Sequence, residues 1–486
     1  MKAPREPGKT RSTNVRARPD KELVDIAEYV SRTEVGGREA HQLARLCLMD
    51  AIGCAMPAFE VPDCLKLLGP IVPGTQVPNG ARVPGTQYQL DPVNAAFNIG
   101  CVIRWLDFND TWWAGGHPSD NLAGILAVAD FVSRRNIASG RQPLLMRDVL
   151  TAMIKAYEIH GVLAEGNIFN SPQVGLDLVV LLKIASTAVV TQMLGGSVDD
   201  IVNALSNTFV DGHALNTYRQ MPNAGPRKSW ASADATSRAV RIAMMTMRGE
   251  MGYPTALSAK TWGFCAVLNN GRPLKVTRRY ASHVIENVQF KIAYPAQRHS
   301  QTAAECAVRL HPLVRGRFDE IQRVVLTTHA LAVNKICVTG PLPNFAARDH
   351  CLQYVVAVGL IFGDITTASY EDAFAADPRI DRLRAKMTVK EDRSYTRDYH
   401  GARRANHNAV QIFFTDGSAT PKVDVEFLIG DARRRAEGLP LLQRKFRSNL
   451  ATRLPAKQCE AAAALLGDQR RLETTPVNEF MDSLAV

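Results

Sequence analysis

The chain has 486 residues, 46% of them hydrophobic and 22% charged, with a formal net charge of +11. That length and apolar content support large buried cores and two or three domains, and exclude a disordered chain. The Lys and Arg residues are dispersed rather than striped with aromatics, which speaks against a nucleic-acid or membrane surface and suits a small acidic substrate.

Taken in chain order, residues 1–20 form a basic, acid-poor arm, a composition also found in organellar presequences. From 21 to 281 the spacing predicts a helical domain. Val24 to Arg32, Ala40 to Ile52, Pro143 to Leu163 and Ser232 to Arg248 repeat apolar residues at intervals of three and four, between Gly/Pro/Asn-rich turns. Asp91-Pro92 reads as an N-cap with a first-turn proline, opening an apolar helix through Ile103, and Pro118-Ser119-Asp120 opens another through Phe131. The most apolar segment, Val174 to Leu194, carries Asp177 and Lys183 and is not read as a membrane span.

Between 282 and 430 the pattern changes to a smaller α/β region. Val288-Gln-Phe-Lys-Ile alternates as a strand would, and so does Ile321 to Thr328. Ala409 to Phe414 and Lys422 to Phe427 flank a hairpin turn at Asp416-Gly417. Helices are expected over 300–310 and 348–362. From 431 to 486 the chain is helical again and is expected to return to the first domain. The fold class is therefore mainly α with an α+β part, without the strict strand–helix alternation of a doubly wound sheet.

The candidate site centres on Arg104-Trp-Leu-Asp107-Phe-Asn-Asp110-Thr111-Trp-Trp-Ala-Gly-Gly-His117-Pro-Ser119-Asp120-Asn121, one interhelical turn holding three acids, a threonine, a histidine and an arginine. Backbone N–H groups at the start of the second helix face this turn, which favours an anion there. Further candidates are Arg219 and Lys228, at the two ends of a Gly/Pro loop, and His299, where a strand gives way to a helix. His350 and Tyr354 open the helix expected at 348. His213 and Tyr218 read as structural. Nine unevenly spaced cysteines make neither a disulfide framework nor a Cys-x-x-Cys metal or iron–sulfur motif, and point to a reducing compartment. There is no dinucleotide-binding, Walker, nucleophile-elbow or His-Glu-x-x-His motif. What remains suits proton transfer beside a carboxylate, with cations to stabilise developing negative charge and a second group to protonate a departing hydroxyl. That is the chemistry of a lyase.

At these residues the chain resembles the MmgE/PrpD family. Leu90-Asp-Pro-Val-Asn-Ala-Ala-Phe-Asn, Arg104-Trp-Leu-Asp-Phe-Asn-Asp-Thr-Trp, His117-Pro-Ser-Asp-Asn, Arg227-Lys-Ser-Trp-Ala, Gly249-Glu-Met-Gly-Tyr-Pro and Arg348-Asp-His-Cys all match. The resemblance implies a large helical domain built from both chain ends, a smaller α/β lid inserted between them, a homodimer, and no metal or other cofactor. It implies elimination of water from 2-methylcitrate to 2-methyl-cis-aconitate, in propionate catabolism through the methylcitrate cycle. The alternatives are another tricarboxylate lyase, such as a citrate dehydratase or cis-aconitate decarboxylase, and a silent relative that binds polyanions. No nucleic-acid or membrane partner is expected, and the compartment is cytoplasmic or, alternatively, the mitochondrial matrix.

The resemblance places Asp107, Thr111, His117, Lys228 and Tyr354 in catalysis, with Asp107 or His117 as base and the other as acid. Arg104, Ser119, Asn121, Arg219, His299 and His350 are expected to bind substrate. Three departures bear on substrate choice. The Trp112-Trp113-Ala114-Gly115-Gly116 loop is short and lacks the dehydratase pattern's glutamate, Leu178 stands where that pattern has histidine, and Gln297 where it has glutamate.

Overall fold

The computed structural model describes residues 17–35 and 37–486. Most of the basic arm expected over 1–20 lies outside the described residues. The longer helices of the N-terminal half are α1 (Lys21–Arg32), α2 (Arg38–Ala55), α3 (Pro92–Arg104), α4 (Leu122–Ala138), α5 (Met146–Gly166), α6 (Val179–Met193), α7 (Val198–Val210) and α8 (Arg227–Thr246). They share one hydrophobic core with Leu442, Phe446, Leu450, Leu466 and Phe480 from the last fifty residues, so both ends of the chain build the same body. Asp91 accepts from Val93 N (3.0 Å) and Asn94 N (3.1 Å), and Pro92 occupies the first turn, which fixes where α3 begins.

α3 crosses α8 at a contact of small residues. A methyl group built on Gly100 would lie 2.7 Å from Ala233 Cα and 2.8 Å from Ala233 Cβ, so only glycine lets the two backbones approach this closely. The crossing matters for function because Arg104 ends α3 and Lys228 stands in the first turn of α8.

A second core runs from Ala296 to Val425. Its sheet has the order β2-β1-β3-β4, with β1 (Ile321–Thr328), β2 (Met387–Glu391), β3 (Asn408–Phe414) and β4 (Val423–Val425). β1 pairs parallel with β2, Val324 against Met387, and antiparallel with β3, Ile321 against Phe414. The hairpin between β3 and β4 turns at Asp416-Gly417, where Gly417 has φ 84. The helices α9 (Gln301–Val314) and α10 (Leu352–Phe362) contribute their apolar residues to this core.

Two expectations are corrected. Val288 to Ile292 is not a sheet strand. It is a single crossing segment, bridged at Gln289 to Thr111 and at Phe290 to Gly430, so its alternation tracks two buried contacts rather than one buried face. The helix expected over 348–362 is split: one turn spans Phe345–Arg348, α10 starts at Leu352, and extended Cys351 (φ −110, ψ 112) lies between. Asp349 and His350 are thereby released from the helix.

Gly100→Ala is expected to force α3 and α8 apart and to cost about 1–3 kcal/mol. Denaturant titration checks this; an unchanged midpoint would mean the crossing is looser than the structure shows.

Candidate functional site

α3 ends by placing Asp107 in the left-handed region at φ 50, a conformation a non-glycine residue holds only when its surroundings compensate. The surroundings are cationic. Arg104 lies 2.7 Å from its carboxylate, Lys291 donates to the same oxygen and also, at 2.8 Å, to the Asp107 carbonyl, and Lys228 stands 3.5 Å from the other oxygen. Asp107, Lys228 and Lys291 are 2%, 3% and 1% exposed. Burial pushes the Asp107 carboxyl up, but Arg104, Lys291 and Lys228 outweigh it and hold the group well below the usual range. Burial brings Lys291 down to about 8, the attraction of Asp107 offsetting only part of it.

His117 faces the same carboxylate, with Nε2 3.5 Å from Asp107 Oδ1. Its Nδ1 lies 2.7 Å from the Asp110 carbonyl, which only accepts, so Nδ1 carries the proton. Nε2 is then an unprotonated acceptor, taking a hydrogen bond from Arg104 at 3.1 Å. Burial, Arg104 and Lys291 keep the ring well below its ordinary pKa and therefore neutral. Thr111 donates to the Gly116 carbonyl at 3.2 Å, closing the loop.

These groups open on a cavity of about 830 Å³ between the two cores. Arg104, Asp107, Thr111, His117, Arg219, Lys291, His299 and His350 line it, so one interhelical turn and four residues distant from it in sequence share one chamber. Lys291 is the member the sequence did not single out. In an alternating segment a lysine reads as solvent-facing, and only the adjoining bridges to Thr111 and Gly430 reveal that both faces are covered.

Four expected site residues stand elsewhere. Lys228 is not on the cavity wall; it is ion-paired with Asp349 behind Asp107. Ser119 receives a bond from Asn109 (2.9 Å) and Asn121 from Ser186 (2.7 Å), both within the helical core. The anion expected at that helix start is the chain's own: the Asp110 carboxylate takes the Ser119 N–H at 3.1 Å and the Tyr157 hydroxyl at 2.7 Å. Tyr354 donates to the Ser369 carbonyl at 2.6 Å and stacks on Tyr370 within the lid core. One turn into an apolar helix, its ring follows the buried face and not the cavity. Arg219 lines the chamber but is already paired with Asp177. His213 and Tyr218 are absent from the chamber's lining.

The acidic group best placed for a metal is Asp107, Asp349 and His350, whose ligand atoms lie within 4.8 Å of one another. The Lys228 ammonium already stands among them, 3.1 Å from His350 Nδ1, and supplies the positive charge those carboxylates need. All three sequence departures meet the chamber as well. A Cβ on Gly115 would lie 2.7 Å from Leu178 Cδ1, and one on Gly116 2.4 Å from His160 Nε2, with φ 120 and 83 at the two glycines. The short loop and Leu178 therefore fit each other. Gln297 caps the turn that follows, accepting from His299 N at 2.6 Å.

The MmgE/PrpD N-terminal domain model matches residues 24–277 and the MmgE/PrpD C-terminal domain model residues 294–468. The chain is 57% identical over 474 residues to 2-methylcitrate dehydratase of Cupriavidus necator, covering 96% of this chain and 98% of that protein. It is 54% identical to the enzyme of that name from Salmonella typhimurium over 97% of this chain and 99% of the relative. It is also 47% identical to a mitochondrial 2-methylcitrate dehydratase of Yarrowia lipolytica, over 96% and 91%.

Asp107→Asn leaves Arg104, Lys291 and Lys228 gathered without their shared counter-charge, and is expected to destabilise the protein by roughly 3–5 kcal/mol. Urea denaturation measures it, and a loss below about 1 kcal/mol would show that the cations do not depend on this carboxylate.

Proposed function

The chain belongs to the MmgE/PrpD family, and we propose that it is a 2-methylcitrate dehydratase, eliminating water to give 2-methyl-cis-aconitate without a cofactor. The single feature that most favours this chemistry is the pairing, on one cavity wall, of an unprotonated histidine nitrogen with a lysine of pKa about 8. His117 Nε2 takes the proton from the methyl-bearing carbon next to a carboxylate. The approaching C–H displaces Arg104 from that nitrogen, and the freed guanidinium pairs with the carboxylate on which charge builds. Electrons move into the new carbon–carbon double bond as the carbon–oxygen bond breaks. Lys291 delivers its proton to the departing hydroxyl, and water leaves.

Asp107 is a poor base in this site, because three cations stabilise its charged form. Its role is to keep Lys291 protonated and aimed. Thr111 positions the loop that carries His117, and Lys228 holds Asp107 and Asp349 together. Leu178 and Gln297 line the cavity, and the alternative substrate is another tricarboxylate, citrate or cis-aconitate.

The proposal extends to a homodimer acting in propionate catabolism within the cytoplasm. No helix among the described residues is long and apolar enough to cross a membrane, and all nine cysteines are unpaired, which suits a reducing compartment. The mitochondrial relative makes the matrix the alternative.

Enoate absorbance on mixing EDTA-treated protein with 2-methylcitrate, citrate or cis-aconitate tests the activity. Growth is expected with 2-methylcitrate, and His117→Gln or Lys291→Met should lower kcat by roughly 10²–10⁴-fold. Loss of cis-aconitate absorbance with release of carbon dioxide would reassign the chain to decarboxylation. The pH profile has a definite sign: the donor is protonated Lys291, so kcat/KM should fall as pH rises through about 8. The acid limb should lie well below pH 6.5, where the shielded His117 finally takes a proton. A profile flat to pH 9.5 would remove Lys291 as the acid.

A further inference from the structure

The cations of the cavity fall into two groups. On the helical wall each is already paired: Arg104 with Asp107 and Asp120, Lys291 with Asp107, Arg219 with Asp177. On the lid wall Arg298 and Lys335 line the same cavity, and no carboxylate is paired with either among the described residues. Arg298 is 6% exposed and uses only part of its donor set, bonding Gln289 Oε1 (3.3 Å), the Trp113 carbonyl (3.2 Å) and the Tyr399 hydroxyl. Lys335 stands in the helix Ala330–Ile336, close enough to Arg298 to feel its charge, and opens to the chamber.

We propose that Arg298 and Lys335 form a carboxylate subsite on the lid, gripping the substrate carboxylate that takes no part in the elimination. This rests on the reading of the cavity as a tricarboxylate site. Two like charges on one cavity wall, Arg298 buried and Lys335 exposed, repel each other, and an anion between them reverses the sign of that interaction. The neighbours agree with an anion-seeking wall: His299 and His329 stack around Tyr399 and share Asn406 Oδ1 at 3.4 and 3.3 Å. Burial and Arg298 hold both rings in their neutral form, as expected where no negative charge is near. Arg298 also carries the opposite wall, through the Trp113 carbonyl, while Arg404 covers the Trp113 ring at 3.6 Å. A carboxylate held at this point bridges lid and helical domain, and fixes the other end of the substrate over His117.

The test is calorimetric binding of tricarballylate, an unreactive tricarboxylate without a hydroxyl, to the full chain. Lys335→Met is the principal variant because no side-chain bond from Lys335 to a described residue is lost in it, and Arg298→Gln is the second. Each should weaken binding roughly tenfold or more, the scale of a lost charge-assisted hydrogen bond. Lys335→Arg should restore most of it. Lys457→Met, which removes the same charge from an exposed position on another helix, should leave affinity unchanged. In turnover, Lys335→Met should raise KM for 2-methylcitrate far more than it lowers kcat, the mark of a contact made equally in ground and transition states. Wild-type affinity in both lid variants overturns the subsite, as does equal weakening by Lys457→Met, which would reveal a diffuse field. A wild-type chain that binds no tricarboxylate overturns the reading of the cavity itself and the subsite with it.

Discussion

One buried carboxylate organises this molecule. Asp107 is reached by Arg104 at the end of its own helix, by Lys228 from α8, and by Lys291 from the segment entering the lid. None of these cations is stable so deeply buried without a counter-charge; Asp120 also reaches Arg104 and Asp349 also pairs with Lys228, but Asp107 is the one described carboxylate that all three share. The fold therefore has to bring residues 104, 228 and 291 to one point. The glycine contact at the α3–α8 crossing and the bridges of Gln289 and Phe290 do so. The left-handed backbone at Asp107 is the local cost of aiming that carboxylate at three cations at once.

The same charge distribution separates chemistry from recognition. On the helical wall positive charge is neutralised, so the groups there can be tuned: a histidine kept neutral and a lysine brought within reach of physiological pH. On the lid wall positive charge is left over. A polyanion entering between them meets attraction on one side and proton-transfer groups on the other, and so is oriented before anything reacts. The small loop Trp112 to Gly116 is part of this division. Its two glycines fit closely against Leu178 and His160, so a larger side chain at 115 or 116 would collide with them.

Much of this architecture was legible in the sequence because it depends on local chemistry. The Asp91-Pro92 start of α3, the strand from Ile321 to Thr328 and the hairpin at Asp416-Gly417 each follow from residues within a few positions. Asp107, Thr111 and His117 were legible for the same reason, since one turn holds all three. Lys291 was not, because a period of two states which side chains face apart and says nothing about what covers each face. Ser119 and Asn121 looked like ligands because they are polar and near the turn, yet helix starts spend such residues on their own backbone and core neighbours. Tyr354 is likewise spent on the lid's own core, bonding the Ser369 carbonyl and stacking on Tyr370. The break at Asp349 to Cys351 left no strong signal, having neither glycine nor proline, and it is what turns Asp349 toward Lys228.

The return of the chain end to the first domain has a consequence for how the protein is made. Lys445, in the helix Arg435–Leu450, donates to the carbonyls of Phe108 and Lys291 at 2.7 and 2.8 Å and to Asp50 at 2.7 Å. It pins two stretches of backbone and one carboxylate, and both backbone stretches hold or adjoin the residues that do the chemistry. While the ribosome is still synthesising the C-terminal segment, the growing chain already carries Asp50, Phe108 and Lys291 but not the group that pins them. Its charged centre stays open until translation is nearly finished. A chain that stops short of residue 445 lacks this pin, together with the core residues Phe446, Leu450, Leu466 and Phe480 that follow it.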